Sequence, residues 1–473
     1  MLYHYALSIL ALTISTYSAV HALINKKDSR AAFGWIAVCF LFPFFGPMLY
    51  FIFGINRVRT RAKKLTYSLS NPRLNQSSVP VSGAFDSSVP ESLKNLHKVS
   101  SCITGLPLVA GNNIEILYSG EQTYPSMLNA IHAARKYIYI CVYIFKADKI
   151  GQKFIEALIK AKNRDVKVFV LIDGIGELYS WRKARRELAK HDIQVRRFLP
   201  PKLIPFNLNI NLRNHRKLLV IDDTVSFIGG MNISDEYSHG TNNEHQSLKD
   251  IHFKISGVVS SQLKNMFESD WRFTGGEILT SNSAFNSDTD GPIICRTIID
   301  GPAENLDHLS IILLTAINSA LNSVTVMTPY FLPSRELIGA LLTAALRGIK
   351  VCIILPEKNN LGYMSWASRH MLWELLEREI KVYYQPEPFE HSKLFVVDNK
   401  YSLIGSANID PRSLRLNYEV GVEVYDAEFA IKLSKYVKNV LSICRQITLE
   451  EMENRSLPLK IRDGVAWLFS PYL

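Results

Sequence analysis

The sequence predicts an α/β protein built from two duplicated halves and preceded by two apolar N-terminal segments. Three observations predict this. A pattern of His-x-Lys-x4-Asp, six further residues and Gly-x-x-Asn occurs twice with identical spacing. Val-, Ile- and Leu-rich strand-like runs alternate with helical stretches in matching order around both copies, which is the signature of layered α/β units. Two stretches near the N-terminus, Leu2–Ile24 and Ala31–Phe53, are nearly free of charge.

The N-terminal region comes first. Among residues 1–56 the only charged side chains are Lys26, Lys27, Asp28 and Arg30. Each flanking stretch approaches the ~20 residues that cross a bilayer as a helix, so residues 1–56 are expected to form two transmembrane helices. Residues 1–7 carry no Lys or Arg, and a second apolar stretch follows directly, which argues against a cleaved signal peptide. Pro43, Gly46 and Pro47 allow the second span a kink or a re-entrant shape. Arg57, Arg59, Arg61, Lys63 and Lys64 follow that span, against Lys26, Lys27 and Arg30 between the spans. The bias predicts that the post-span side, and with it the rest of the chain, is cytoplasmic. Residues 57–90 then read as a basic flank and a linker rich in Ser, Pro and Asn.

Beyond the linker, residues 91–275 and 276–450 are the expected halves. In the first, a helix ending near Ala133 leads into the strand Tyr137–Phe145. A helix from Ile150 then leads to Val166–Asp173, and Ile193–Phe198 precedes the motif. In the second, Ala316–Ala320 leads to Val324–Phe331, a helix from Ser334 leads to Ile349–Pro356, and Ile380–Tyr384 precedes the motif. The tail, residues 451–473, reads as an amphipathic segment that either lies at a lipid interface or docks on the core. Six scattered cysteines without C-x-x-C spacing suggest neither a zinc site nor a disulfide frame.

The motif residues suit one chemistry. His215 and Lys217 lead into Leu218–Ile221, and His391 and Lys393 into Leu394–Val397. Residues i and i+2 of a strand share a face, so each imidazole should stand beside an ammonium. A histidine can attack phosphorus or pass a proton, and a lysine can hold non-bridging oxygens. Asn232 and Asn408, on the loops that follow, can donate further hydrogen bonds. Two facing half-sites would make a phosphoryl-transfer centre whose charge is balanced by cationic side chains. No metal and no other cofactor is called for.

The paired motif resembles the HKD signature of the phospholipase D superfamily. From Gly111 to Tyr425 the chain resembles its bacterial cardiolipin synthases. The resembling stretches are Asn214–Lys217, Gly229–Asn232, Thr328–Phe331, Gly405–Ser413 (with Ser406 and Asn408) and Asn417–Glu419. The resemblance implies a mixed sheet between helices in each half, packed so that the motifs meet. It implies His215 as nucleophile and His391 as general acid, with Glu419 and Asp250 as acids that orient them. The motif acids Asp222 and Asp398 are grouped with the catalytic residues, or else hold a lysine or the turn. Leu248 stands where relatives carry Trp, and Arg378-Glu379-Ile380 where relatives carry Gly before the strand.

The implied activity is transfer of a phosphatidyl group between two phosphatidylglycerol molecules, giving cardiolipin and glycerol, at the inner membrane of a bacterial cell. The net charge of +11 fits anionic lipid. The cluster Arg182–Arg186 by itself reads as a solvated helix face. A phospholipase D using water as acceptor is the near alternative, a membrane-anchored nuclease the distant one. The apolar segments argue against a nucleic-acid partner, and the intact motif pair against a non-catalytic lipid-binding module.

Overall fold

The computed structural model describes residues 2–26, 28–54, 89–201, 211–238, 248–277, 279, 291–302 and 305–470. The basic flank Arg57–Lys64 and nearly all of the linker lie outside them. The chain forms two compact units, residues 1–65 and 66–473.

In the first unit one helix, Tyr3–Asn25, is long and apolar enough to cross a membrane. The expected second span differs: Ala31–Phe53 is not one helix. A helix over Ser29–Leu41, capped by Asp28 accepting from the Arg30 N–H, is followed by a separate one over Phe45–Leu49. A wider helical turn covers Tyr50–Gly54. Two prolines and a left-handed Phe44 (φ 72°) interrupt the ladder. The break is packed: a Cβ on Gly46 would lie 2.1 Å from the Val38 carbonyl oxygen. His21 Nδ1 lies 2.8 Å from the Tyr50 hydroxyl.

The second unit is organised by one 15-stranded sheet. The first half supplies β1 (Val109–Tyr118), β2 (Tyr137–Val142), β3 (Lys167–Asp173), β4 (Gln194–Phe198), β5 (Leu218–Ile221), β6 (Val225–Gly229) and β7 (Ile251–Ser256). The second supplies β8 (Ile293–Asp300), β9 (Ser323–Met327), β10 (Lys350–Pro356), β11 (Lys381–Gln385), β12 (Leu394–Val397), β13 (Tyr401–Gly405), β14 (Glu419–Val424) and the short β15 (Arg445–Gln446). From the central β1–β8 seam, one side runs β1-β7-β6-β5-β2-β3-β4 and the other β8-β14-β13-β12-β9-β10-β11-β15. The same order read outward in both directions is the duplication in three dimensions.

Within each half β2–β3–β4 and β9–β10–β11 pair in parallel and the remaining strands antiparallel, so the sheet is mixed. The motif strands are short and buried throughout, as their unbroken apolar runs require. Helices cover both faces. One core per half lies under helices such as Lys149–Lys162 and Arg335–Leu346, and a third core draws on both halves through Val259–Phe273 and Ala427–Leu441.

Both departures from the family pattern are absorbed locally. Leu248 packs against the first-half core. Glu379 takes φ 58°, the conformation glycine adopts most cheaply, as the chain leaves its helix for β11. The tail is a helix, Leu457–Leu468, docked by its buried Asp463 and Ala466.

Candidate active site

The site is assembled at the entrance to the two motif strands. Each motif histidine is clamped by backbone to the opposite half. The His215 N–H donates to the Tyr418 carbonyl at 2.9 Å, while the Tyr418 N–H donates to Arg213 at 2.8 Å. The His391 N–H donates to the Lys249 carbonyl at 2.7 Å, and the Lys249 N–H to Phe389 at 3.0 Å. Tyr418 and Lys249 each directly precede an acid, so the clamps bring that acid to the other half's histidine. His215 Nδ1 lies 2.9 Å from Glu419 Oε1, and His391 Nδ1 lies 2.9 Å from Asp250 Oδ2. Tying up Nδ1 leaves Nε2 of each ring for substrate. The two side chains keep 16% and 10% exposure, so both reach an opening.

The lysines fold back beside their histidines. Lys217 Nζ donates to the His215 carbonyl at 2.5 Å, and Lys393 Nζ to that of His391. Lys393 Nζ also lies 2.9 Å from His391 Nδ1. Asn232 Oδ1 accepts from the Ile144 N–H at 3.1 Å, which fixes the amide so that its NH2 lies on the Tyr237 side. Asn408 and Lys393 line one small cavity, and Asn408 Oδ1 is buried without a partner.

Burial sets the electrostatics. It pulls Lys217 down to about 7 and Lys393 down to about 8, each partly offset by nearby carboxylates. Burial lowers both histidines, His391 strongly, with the neighbouring lysines adding to the effect. The two acids part company. Burial pushes Asp250 up to about 8 despite Lys393. Burial also opposes the charge on Glu419, yet His215, Lys217 and a hydrogen bond from Ser406 together hold it below its ordinary value.

The position equivalent to Ser406 explains part of the difference. Ser406 Oγ donates to Glu419 Oε2 at 2.5 Å, and Asn417 Nδ2 to Oε1 at 3.2 Å. The first half has Gly230 instead, where a Cβ would lie 2.3 Å from Asp250 Oδ2. Asp250 therefore sits close against bare backbone and receives no hydroxyl donor there.

Asp222 and Asp398 are not brought to this centre, which corrects their grouping with the catalytic residues. Asp222 accepts from the backbone N–H groups of Arg135, Lys136 and Tyr137 at 2.6–2.9 Å. Asp398 accepts from those of Leu321, Asn322 and Ser323 at 2.7–2.8 Å. Each ends its strand with left-handed backbone, φ 51° and 52°. Each ties the helix-to-strand turn before β2 or β9 to the far end of the motif strand.

Sequence reasoning missed a further layer of buried charge. Arg216 donates to the Glu419 carbonyl through Nε at 3.0 Å and pairs with Asp270. Arg213 pairs with Asp173 at 3.1 Å, and Asp173 also accepts from the Asn214 N–H at 2.9 Å. Only the run Arg213–Lys217, dense in polar groups before an apolar strand, hints at these partners. Aromatic rings enclose the histidines, with Tyr143 5.6 Å from His215 and Tyr330 6.3 Å from His391.

A family model described as a cardiolipin synthase, PLD-like domain matches residues 127–271 and 313–441, and a phospholipase D-nuclease N-terminal model matches residues 13–54. The chain is 31% identical to the major cardiolipin synthase of Bacillus subtilis over 95% of both chains. It is 29% identical to a cardiolipin synthase of Clostridium perfringens over 95% of this chain and 96% of that one. Among solved structures, the phosphatidylserine synthase of Haemophilus influenzae shares the fold with a TM-score of 0.63 at 17% identity, covering 80% of this chain and all of that one. With both halves matched by the domain model and nearly the full length by such relatives, the chain belongs to the PLD-like cardiolipin synthase family.

Proposed function

We propose that this protein is a membrane-bound phosphatidyltransferase that converts two phosphatidylglycerol molecules into cardiolipin and glycerol through a phosphohistidine. The observation that carries the reading is the crossed pair of histidines, each oriented at Nδ1 by an acid of the opposite half. His215 stands against the acid held ionised, so it is the better nucleophile. Its Nε2 attacks phosphorus of the donor, and the bond to the terminal glycerol breaks as His391 gives that oxygen a proton. His391 then takes the proton of the acceptor's glycerol hydroxyl. That oxygen attacks phosphorus, and the bond to His215 breaks. Lys217, Lys393, Asn232 and Asn408 are the donors available to the non-bridging oxygens.

Similarity to cardiolipin synthases supports lipid acceptors over water, and the Tyr3–Asn25 helix supports a membrane location. The charge bias around the apolar stretches supports a cytoplasmic catalytic region in an inner membrane, with both stretches embedded. Purified enzyme in phosphatidylglycerol vesicles should make cardiolipin and free glycerol in near-equal amounts, and added glycerol should reverse the reaction. Phosphatidic acid as the main product, with no reversal, would make the protein a hydrolase.

A further inference from the structure

The opening over the histidine pair has a rim that the fold leaves in solvent. After β3 the chain makes a short loop in which Tyr179 is 63% and Trp181 99% exposed. After β10, the equivalent strand of the second half, the start of the helix Gly362–Leu376 presents Leu361, Tyr363 and Trp366 at 37%, 43% and 37% exposure. Each segment reaches the catalytic centre through one aromatic ring. Tyr143, beside His215, is 6.2 Å from Tyr179. Tyr330, beside His391, donates to Asn360 Oδ1 at 2.7 Å, just before the helix that carries Tyr363 and Trp366. Each histidine thus has one such segment behind the ring that flanks it.

Large aromatic side chains in water are costly, and Trp and Tyr are the residues that settle at the headgroup level of membranes. The charge beside them is mostly positive: Arg182, Lys183, Arg185, Arg186 and Lys190 follow Trp181 within nine positions against Glu187, although Arg185 pairs with Glu177 and Lys183 donates to the Glu177 carbonyl. On the other side, the Arg462 guanidinium lies over the Trp366 ring at 4.7 Å. It brings the C-terminal helix to the rim, and that helix turns Ile461 and Val465 to solvent.

We propose that this rim seats on the surface of an anionic phospholipid bilayer, with Trp181 and Trp366 at headgroup depth and the opening facing lipid. Aromatic contacts from a loop of one half and the first turns of a helix of the other, flanked by cations and surrounding phosphate-binding groups, fit a partner that is itself a sheet of phosphodiesters. The inference rests on the phosphatidyl-transfer reading for its purpose, but its physical content is separable.

The test uses the full-length protein in vesicles of phosphatidylglycerol and phosphatidylcholine with brominated acyl chains. The difference in emission between wild type and Trp181→Phe isolates Trp181, and it should be quenched by bromine. The double variant Trp181→Ser/Trp366→Ser should lose about tenfold or more in kcat/KM on vesicle substrate, since two interfacial anchors are removed. Its turnover of monomeric short-chain phosphatidylglycerol should match wild type, which also shows that it folds. Unquenched Trp181, or vesicle activity equal to wild type, overturns the docking surface. Equal losses on both substrates overturn it too, by assigning the tryptophans to the substrate site. Quenching without any transfer activity in wild type leaves the docking surface standing and removes the transferase reading instead.

Discussion

Glu419, on a strand of the second half, holds Nδ1 of His215 in the first half at 2.9 Å across 204 positions of sequence. Asp250 returns the arrangement to His391 at the same distance across 141. Neither half owns a complete site: each contributes a histidine and the acid for the other's. The symmetry of position is not one of charge, because Ser406 and Asn417 donate to Glu419 while Gly230 offers Asp250 no side chain.

Unequal consequences follow from that asymmetry. Glu419→Gln removes a carboxylate that is ionised and fixes the tautomer of His215. By analogy with loss of the orienting acid in hydrolase triads, it should cost roughly 10³–10⁴-fold in kcat. Asp250, pushed up to about 8, is mostly protonated at neutral pH, so Asp250→Asn preserves its dominant form. Its loss should be smaller by about tenfold or more. Single-turnover rates of the two variants decide the matter; equal losses would sink the assignment of distinct roles.

The lysines predict an alkaline limb. A lysine whose value is lowered carries charge only below that value, so rising pH strips Lys217 near 7 and Lys393 near 8 in the free enzyme. Because both are assigned to phosphate oxygens, kcat/KM should fall as pH rises through this window. The limb in kcat should lie higher, since bound phosphodiester favours the charged forms. Lys217→Arg keeps its charge throughout, so its remaining limb should move up to that of Lys393. A pH–rate profile unchanged by this substitution would contradict the role given to Lys217.

Asp398 should behave as a structural residue. Its carboxylate accepts three backbone N–H groups at the turn before β9, and an alanine would leave them to find water at a partly buried site. Asp398→Ala should cost roughly 2–4 kcal/mol of stability. It should keep near wild-type kcat at temperatures where it stays folded. Thermal inactivation measured beside initial rates separates the effects, and a large loss in kcat with unchanged heat resistance would restore Asp398 to the catalytic set.

The chemistry was legible in the sequence because it is local: His215 with Lys217 and His391 with Lys393 are set two apart directly before their strands, and duplication lifts them above chance. Position along the strand was not enough to place Asp222 and Asp398. Seven residues beyond the histidine, the chain has left the site and begun its turn. The partners Asp250 and Glu419 became legible only through family resemblance, since pairing across 141 and 204 positions leaves no periodic signal. The apolar stretch Ala31–Phe53 gave a length, while Pro43, Phe44 and Gly46 gave it a break. Pro43, Gly46 and Pro47 signalled a kink or re-entrant shape, but not that the stretch would divide into separate helices.

Buried charge away from the site is the part that pattern reading misses most completely, and Arg296 with Glu423 tests its weight. Arg296 on β8 and Glu423 on β14 are both fully buried, and Nε donates to Glu423 Oε1 at 2.7 Å. Arg296 Nη1 reaches Ser101 Oγ and the Leu106 carbonyl, while Ser100, Tyr401 and Tyr425 donate hydroxyls to Glu423 Oε2 at 3.0–3.3 Å. The pair therefore fastens the helix Lys94–Thr104 to the strands next to the β1–β8 seam. Removing one partner leaves the other charge without its counterion in a low dielectric, which costs about 3–5 kcal/mol. Arg296→Met should accordingly unfold or inactivate at markedly lower temperature, and the double change Arg296→Met/Glu423→Gln should recover part of the loss by removing the stranded charge. Activity per folded molecule should stay near wild type in both, because neither residue touches the histidines. A double variant no more heat-resistant than Arg296→Met would show that the loss comes from the backbone ties of Arg296 and not from the buried charge of Glu423.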